Sequence, residues 1–254
     1  MKKLLLILFL LLNYSCTNTT SLVHEEKWIK LYQNSNKELS IIDVDLNNAW
    51  VSFWMINTST WKLSIDYEKT NSKKERFYRF YAKDIQVWAS NKVFAMVNWQ
   101  FFNSVKNPTF LSFPVKSGWK IINSYLDNDL TKRTLIIDNS DNLKILEWYD
   151  KKELSNTNNK ELIVAFNPNV DSSYSDKIWR SYIWIKWDKN IVFFIAKSKT
   201  QLEMEEIITE YGITKNNVIM MDWWPSAQFS YFNNWLNSFY WEWAVPQYNI
   251  IYRK

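Results

Sequence analysis

Short apolar runs bounded by polar and turn residues recur along this chain, some alternating with a period near two as in Leu39 to Leu46, and that pattern predicts strands. Leu39 to Leu46 reads as a strand, with Val51 to Ile56 as its hairpin partner. Val93 to Asn98 is a short buried run that ends in a polar residue. Leu111 to Val115 and Lys120 to Tyr125 flank Ser117-Gly118-Trp119 as a hairpin. Thr134 to Asp138 and Leu143 to Glu147 flank Asn139 to Asn142 as another. Glu161 to Phe166, Ser181 to Trp187 and Asn190 to Ala196 add three strands, Asn217 to Met221 a buried one, and Tyr248 to Tyr252 closes the sheet. Lys73 to Ala89 fits neither template. Thr200 to Tyr211 has the 3.6-residue helical period, with Thr200 as N-cap, acidic first turns and Gly212 as stop. Many strands with one or two helices predict an α+β fold: a single domain on a mixed, largely antiparallel β-sheet with a few helices.

The N-terminus has a different pattern. Lys2 and Lys3 precede the apolar run Leu4 to Leu12, which is too short to span a bilayer comfortably. Asn-Tyr-Ser-Cys follows. This resembles a bacterial lipoprotein signal, in which Cys16 is lipidated, although Asn13 and Tyr14 depart from the usual residues. A plain cleaved signal peptide is the other reading. Cys16 is the only cysteine in the chain, so it has no intramolecular disulfide partner. The expected organisation is a signal over 1–16, a polar tether over 17–26 and the domain over 27–254. The protein is expected outside the cytoplasm, held to the membrane through Cys16.

Composition changes this picture in one respect. The chain has 16 tryptophans and 2 glycines. Their sum, 18, is about 7% of the residues, the ordinary glycine content of a globular protein. The contexts agree. Trp187 lies between two strand-like runs, Trp119 follows Gly118 in a hairpin, and Trp223-Trp224 precedes a Pro-Ser turn. Tight turns want a residue free to take positive φ, and bulky aromatics are poor there. The pattern predicts that most of the tryptophans are glycine in the native protein, as when UGA codons of an alternative genetic code are read as tryptophan. A truly tryptophan-rich carbohydrate binder is the other reading.

Charge excludes little. The formal net charge is +5. Loss of Lys2 and Lys3 leaves 29 basic against 26 acidic residues, or +3, too mild to argue for nucleic acid. His24 is the only histidine and falls in the tether, so a histidine-based triad or a His-rich metal site is not expected. No calcium-loop spacing occurs. No cofactor and no His- or Cys-based metal site are expected, and a carboxylate-only metal site stays open.

Four segments place polar residues just past apolar runs, where a β scaffold presents a site. They are N-W-Q-F-F-N at 98–103, L-S-F-P-V-K at 111–116, W-R-S-Y-I-W-I at 179–185 and M-D-W-W-P-S-A-Q at 221–228. Asp222 follows a buried run, so its carboxylate emerges at a strand end. Arg180 supplies a rigid fork suited to a phosphate. Asn98 is placed to orient a sugar hydroxyl or the scissile oxygen. Lys116 adds a point charge and Ser226 a donor. Glycines at 223 and 224 would let backbone N–H groups approach an anion. Each has a plainer reading: turn former for Asp222, surface ion pair for Arg180, solvated charge for Lys116, cap for Ser226. Phe101 and Phe102 read as packing residues.

With glycine at the tryptophan positions, the order and spacing of these segments resemble the phosphodiester glycosidase family, over about residues 90–235. Ser181 stands where that family often has threonine, and Pro225 where it often has a small residue. The resemblance implies an extracytoplasmic hydrolase acting on a sugar-1-phosphodiester, a carbohydrate of the cell envelope. Asp222, Arg180 and Asn98 would be catalytic. Lys116, Ser226, Gln228, Trp99, Trp223 and Trp224 would contact substrate. The alternative is a non-catalytic glycan-binding surface lipoprotein on the same fold.

Overall fold

The computed structural model describes residues 19–53, 64–67, 73–79, 93–98, 101–102, 109–126, 131–168, 175–222, 227, 229–232, 237–240, 245–246 and 248–253. Cys16, Trp99, Trp223, Trp224, Ser226 and Gln228 lie outside the described residues.

The largest sheet is antiparallel and has eleven strands. Its path runs β1 (Thr20–Glu26), β2 (Ile29–Asn34), β3 (Leu39–Asp45), β15 (Asn190–Lys199), β14 (Ile178–Trp187), β16 (Val218–Asp222), β13 (Asn159–Phe166), β11 (Lys132–Asp138) and β12 (Leu143–Leu146). Off this path, β9 (Val115–Ser117) pairs with β13 and with β10 (Lys120–Asn123). A second sheet takes the order β18 (Asn237–Tyr240), β17 (Phe229–Phe232), β7 (Val93–Asn98), β19 (Tyr248–Arg253) and β4 (Ala49–Ser52). A small third sheet joins β5 (Ser64–Tyr67), β6 (Lys73–Phe77) and β8 (Thr109–Phe110).

The two larger sheets pack face to face. Ile42, Val44, Ile183, Phe193, Ile195 and Met221 of the first share one buried cluster with Val51, Ala95, Val97, Phe229 and Ile251 of the second. The strands that alternate in sequence are those with one face on this cluster. The central strands β13, β15 and β16 carry apolar runs, Leu162–Phe166, Ile191–Ala196 and Val218–Met221, because their other face is covered too. That cover includes Leu154 of α1 (Lys151–Ser155) and Met204, Ile207 and Ile208 of α2 (Gln201–Glu210).

This corrects the expected fold class. The molecule is nearly all-β, not α+β. The described residues hold two helices, of five and ten residues, which cap one sheet face without forming a layer. The helical period of α2 was legible, and its capping box between Thr200 and Glu203 explains its start. The error lay in promoting a cap to a layer.

Two further expectations change. Val51 to Ile56 was expected to pair with Leu39 to Leu46. Instead β4 pairs with β19 in the other sheet, because β2 and β15 already occupy both edges of β3. Thr20–Glu26, within the expected tether, forms β1 against β2. Glu26 there binds Arg253 at the end of β19, so Thr20–Glu26 belongs to the fold.

Seven tryptophans fall among the described residues: Trp28, Trp50, Trp119, Trp148, Trp179, Trp184 and Trp187. Five are open to solvent, from 46% for Trp50 to 62% for Trp148. Tryptophan is ordinarily among the well-buried side chains. Trp119 also has φ +66, beside Gly118 at +53. Trp187, expected in the same conformation, is not among the positive-φ residues.

Glu161 joins the sheets. Its carboxylate accepts from Gly118 N–H at 2.9 Å, after β9, and from Phe53 N–H at 3.1 Å, after β4. Burial pushes its pKa from 4.5 up to about 7, against the opposing pull of those N–H groups, the Ser117 hydroxyl and Lys160. Tyr252 of β19 feels this carboxylate in turn, and burial with the Glu161 charge raises that phenol to about 12. The sign follows. A carboxyl with a raised folded pKa stabilises fully below pH 4.5, and that stability is lost as pH rises through 7. The loss is about 3 kcal/mol for a shift of this size. Glu161→Gln should remove most of this slope when denaturant stability is followed from pH 4.5 to 8. A variant with the parent's slope would assign the dependence to other groups.

Candidate active site

Two strand ends meet across the sheets. Asn98 is the last residue of β7, and Asp222 is the last residue of β16. The Asn98 side-chain amide donates from Nδ2 to Asp222 Oδ2 at 2.9 Å. Asn98 is fully buried, and Asp222 is 1% exposed. A carboxylate so buried is costly unless hydrogen-bonded, and the amide supplies one such bond. Tyr248 lies across the ladder from Asn98 and is buried beside it.

The local ladder around Asp222 is irregular. Ser181 pairs with Asp222 and Tyr182 with Met220, so Met221 is an extra residue in β16. Such bulges re-aim side chains and recur beside active sites. A second irregularity separates Ile178 from Arg180 on the β15 side. Arg180 therefore sits between two bulges, one residue before the ladder partner of Asp222. Its guanidinium is fully buried. Nε donates to the Lys199 carbonyl at 2.9 Å and Nη2 to the Asp176 carbonyl at 3.1 Å. Those bonds fix the plane of the fork, which is what a directional contact to an anion requires.

Lys116 is placed elsewhere. It lies in β9 opposite Leu162, and its ammonium donates to the Asn156 carbonyl at 2.7 Å, at the end of α1. Burial lowers its pKa. The described structure does not bring it to the Asn98–Asp222 pair. Its hairpin position in the sequence suggested a free charge, but the side chain folds back to satisfy a helix-end carbonyl.

An aromatic wall lies along the same sheet. Phe101 packs edge-on against Phe166 at 4.7 Å and Phe113 at 5.9 Å. Phe166 pairs with Met220, two residues before Asp222. Phe101 is thus a packing residue, as its sequence context suggested. Lys132 stands over the Phe113 and Phe166 rings, 5.4 and 6.0 Å from their centroids, and is only 6% exposed. A lysine flanking a strand reads as a solvated charge, and its only signal was the apolar run that follows it. Ser181 was likewise noted only as a departure from a motif.

No family profile and no curated protein sequence matches this chain. Solved structures do. One is the catalytic domain of zebrafish N-acetylglucosamine-1-phosphodiester alpha-N-acetylglucosaminidase, auto-inhibited by its pro-peptide. It aligns with a TM-score of 0.52 and 8% identity, over 81% of this chain and 88% of that one. Another is a hypothetical protein from Synechocystis, with a TM-score of 0.51 and 8% identity, over 93% of this chain and 64% of that one. The likeness is one of fold. This chain is a distant structural relative of a phosphodiester glycosidase, and at such identity its chemistry has to be argued from its own residues.

Among the described residues, no group of three or more His, Cys, Asp or Glu is placed to hold a metal ion. No helix among them is long and apolar enough to cross a membrane.

Proposed function

We propose that this protein hydrolyses a sugar-1-phosphodiester, breaking the bond between the anomeric carbon and the phosphate oxygen. The observation that carries this reading is the Asn98–Asp222 hydrogen bond, which joins residues 124 apart at the ends of strands from two sheets. A buried carboxylate oriented by an amide, with a fixed guanidinium on the neighbouring strand, suits attack at an anomeric centre beside a phosphate. The fold it shares with a phosphodiester glycosidase supports the same reading.

The chemistry needs few groups. Water adds its OH to the anomeric carbon and gives its other proton to Asp222, the carbon–oxygen bond breaks, and the phosphate leaves as a monoester carrying that oxygen; the proton then passes from Asp222 to the monoester or to solvent. A phosphomonoester has a second pKa of about 6, so it departs without full protonation. The second carboxylic acid of ordinary glycosidases is therefore not demanded. Asp222 assists the attack, Asn98 orients it, and Arg180 neutralises the phosphate.

We also propose that most of the tryptophans are glycine in the native protein. The solvent exposure of Trp28, Trp50, Trp119, Trp148 and Trp187 and the positive φ of Trp119 favour it. Glycine at 223 and 224 would let the backbone N–H groups directly after Asp222 approach the phosphate closely. The working location is outside the cytoplasm, with lipidated Cys16 as the anchor.

The test uses the chain carrying glycine at Trp99, Trp223 and Trp224, with an N-acetylglucosamine-1-phosphodiester as substrate. Free sugar and phosphomonoester should form in equal amounts. Arg180→Ala should raise KM and lower kcat together, because a phosphate contact acts in ground and transition states alike. Binding without turnover would replace the enzyme by a glycan-binding protein.

A further inference from the structure

Ser181 is fully buried, and its hydroxyl has no hydrogen-bond partner. A buried hydroxyl left unpaired costs stability, so native structures rarely keep one without a reason. Its place in the fold supplies the reason. Ser181 is the ladder partner of Asp222, at the bulge where Met221 is the extra residue. Paired residues share one sheet face with Cβ atoms about 5 Å apart. Two oxygen-bearing side chains at that separation can both reach one small group placed between them.

Resting on the hydrolase reading above, we propose that Ser181 is a catalytic residue, whose hydroxyl donates to a phosphate oxygen of the bound phosphodiester. The chemistry selects the ligand. Asp222 is a carboxylate and can only accept when ionised, whereas a serine hydroxyl can donate. An anionic phosphate oxygen is an acceptor, and it tolerates a carboxylate nearby only if donors stand beside it. Ser181 is such a donor, and the Asn98 amide already donates to Asp222 Oδ2. The bond gains strength as the C–O bond lengthens and charge builds on the leaving phosphate, so its effect falls mainly on the rate. No covalent step involves Ser181, and its proton stays on Oγ.

The proposal separates function from stability, because the two move in opposite directions. Ser181→Ala removes an unpaired buried hydroxyl and should raise Tm, by about 2–4 °C for a chain of this size. The same variant should lower kcat about 10- to 100-fold with KM nearly unchanged. Ser181→Thr keeps the hydroxyl and should recover most of the rate. Both variants are compared with the parent on the sugar-1-phosphodiester, alongside thermal melts. A raised Tm with reduced kcat and threonine rescue is the expected result. A parent-like kcat in Ser181→Ala, with the parent active, overturns the role of Ser181 alone. A fall in both Tm and kcat, without rescue by threonine, makes Ser181 a packing residue and overturns it as well. An inactive parent overturns the hydrolase reading, and the Ser181 role with it.

Discussion

Asp222→Asn is expected to lower kcat by about 10²–10⁴-fold, the range for loss of a positioned acid–base group. KM should change only a few-fold. The asparagine keeps the shape of the carboxylate and an oxygen that can still accept from Asn98 Nδ2, so the 2.9 Å contact and the bulge beside it can persist. What is lost is the negative charge and the basic oxygen, which act mainly in the transition state. Asp222→Ala is a different experiment. It leaves the buried Asn98 amide without this acceptor, at about 1–3 kcal/mol of stability. Rate constants for Asp222→Asn and melts for Asp222→Ala separate chemistry from structure. Equal losses in kcat and binding for Asp222→Asn would make Asp222 a structural strand-end residue.

The second large effect concerns the tryptophans. Peptide mass spectrometry of the protein from its native host should find glycine at most of the sixteen positions, Trp99, Trp223 and Trp224 among them. The physical expectation is clearest at Trp119, which has φ +66 and 58% of its surface open. A side chain in that left-handed region costs about 1–2 kcal/mol relative to the ordinary helical one, and glycine bears no such cost. One contact opposes the exchange, since Trp119 Nε1 donates to Asn139 Oδ1 at 2.6 Å. That bond is solvent-exposed, so its net contribution is small. Trp119→Gly should therefore be neutral or stabilising. Among the described residues Trp119 is the one tryptophan that carries this strain, set against a typical stability of about 5–15 kcal/mol. The glycine form should melt at or slightly above the temperature of the tryptophan-bearing chain. Tryptophan peptides at 99, 223 and 224 in native material would sink this account.

Much of the fold was legible because short apolar runs bounded by turn residues report buried strands directly. The runs at Val93–Asn98, Glu161–Phe166, Asn190–Ala196 and Tyr248–Tyr252 all lie in strands. Pairing was not legible. Ala49–Ser52 joins β19, some 200 positions away, because both edges of its sequence neighbour are taken, and no local pattern carries that information. The hairpin at Val115–Asn123 was readable because a positive-φ glycine marks its turn. At the site, Asn98 and Asp222 stood out as polar residues ending apolar runs. Their contact depends on two sheets packing face to face. Lys116 misled because burial and a helix-end carbonyl captured a side chain that looked solvated. Ser181 and Lys132 had no local signature, since their significance comes from neighbours on other strands.

The bond broken is the central claim, and isotope labelling tests it most directly. Hydrolysis is run in ¹⁸O-labelled water with the glycine-bearing chain and a sugar-1-phosphodiester. The account predicts label in the anomeric hydroxyl of the released sugar and none in the phosphomonoester. Label in the phosphate would mean cleavage at phosphorus and would contradict it, as would a chain that binds the phosphodiester and releases nothing.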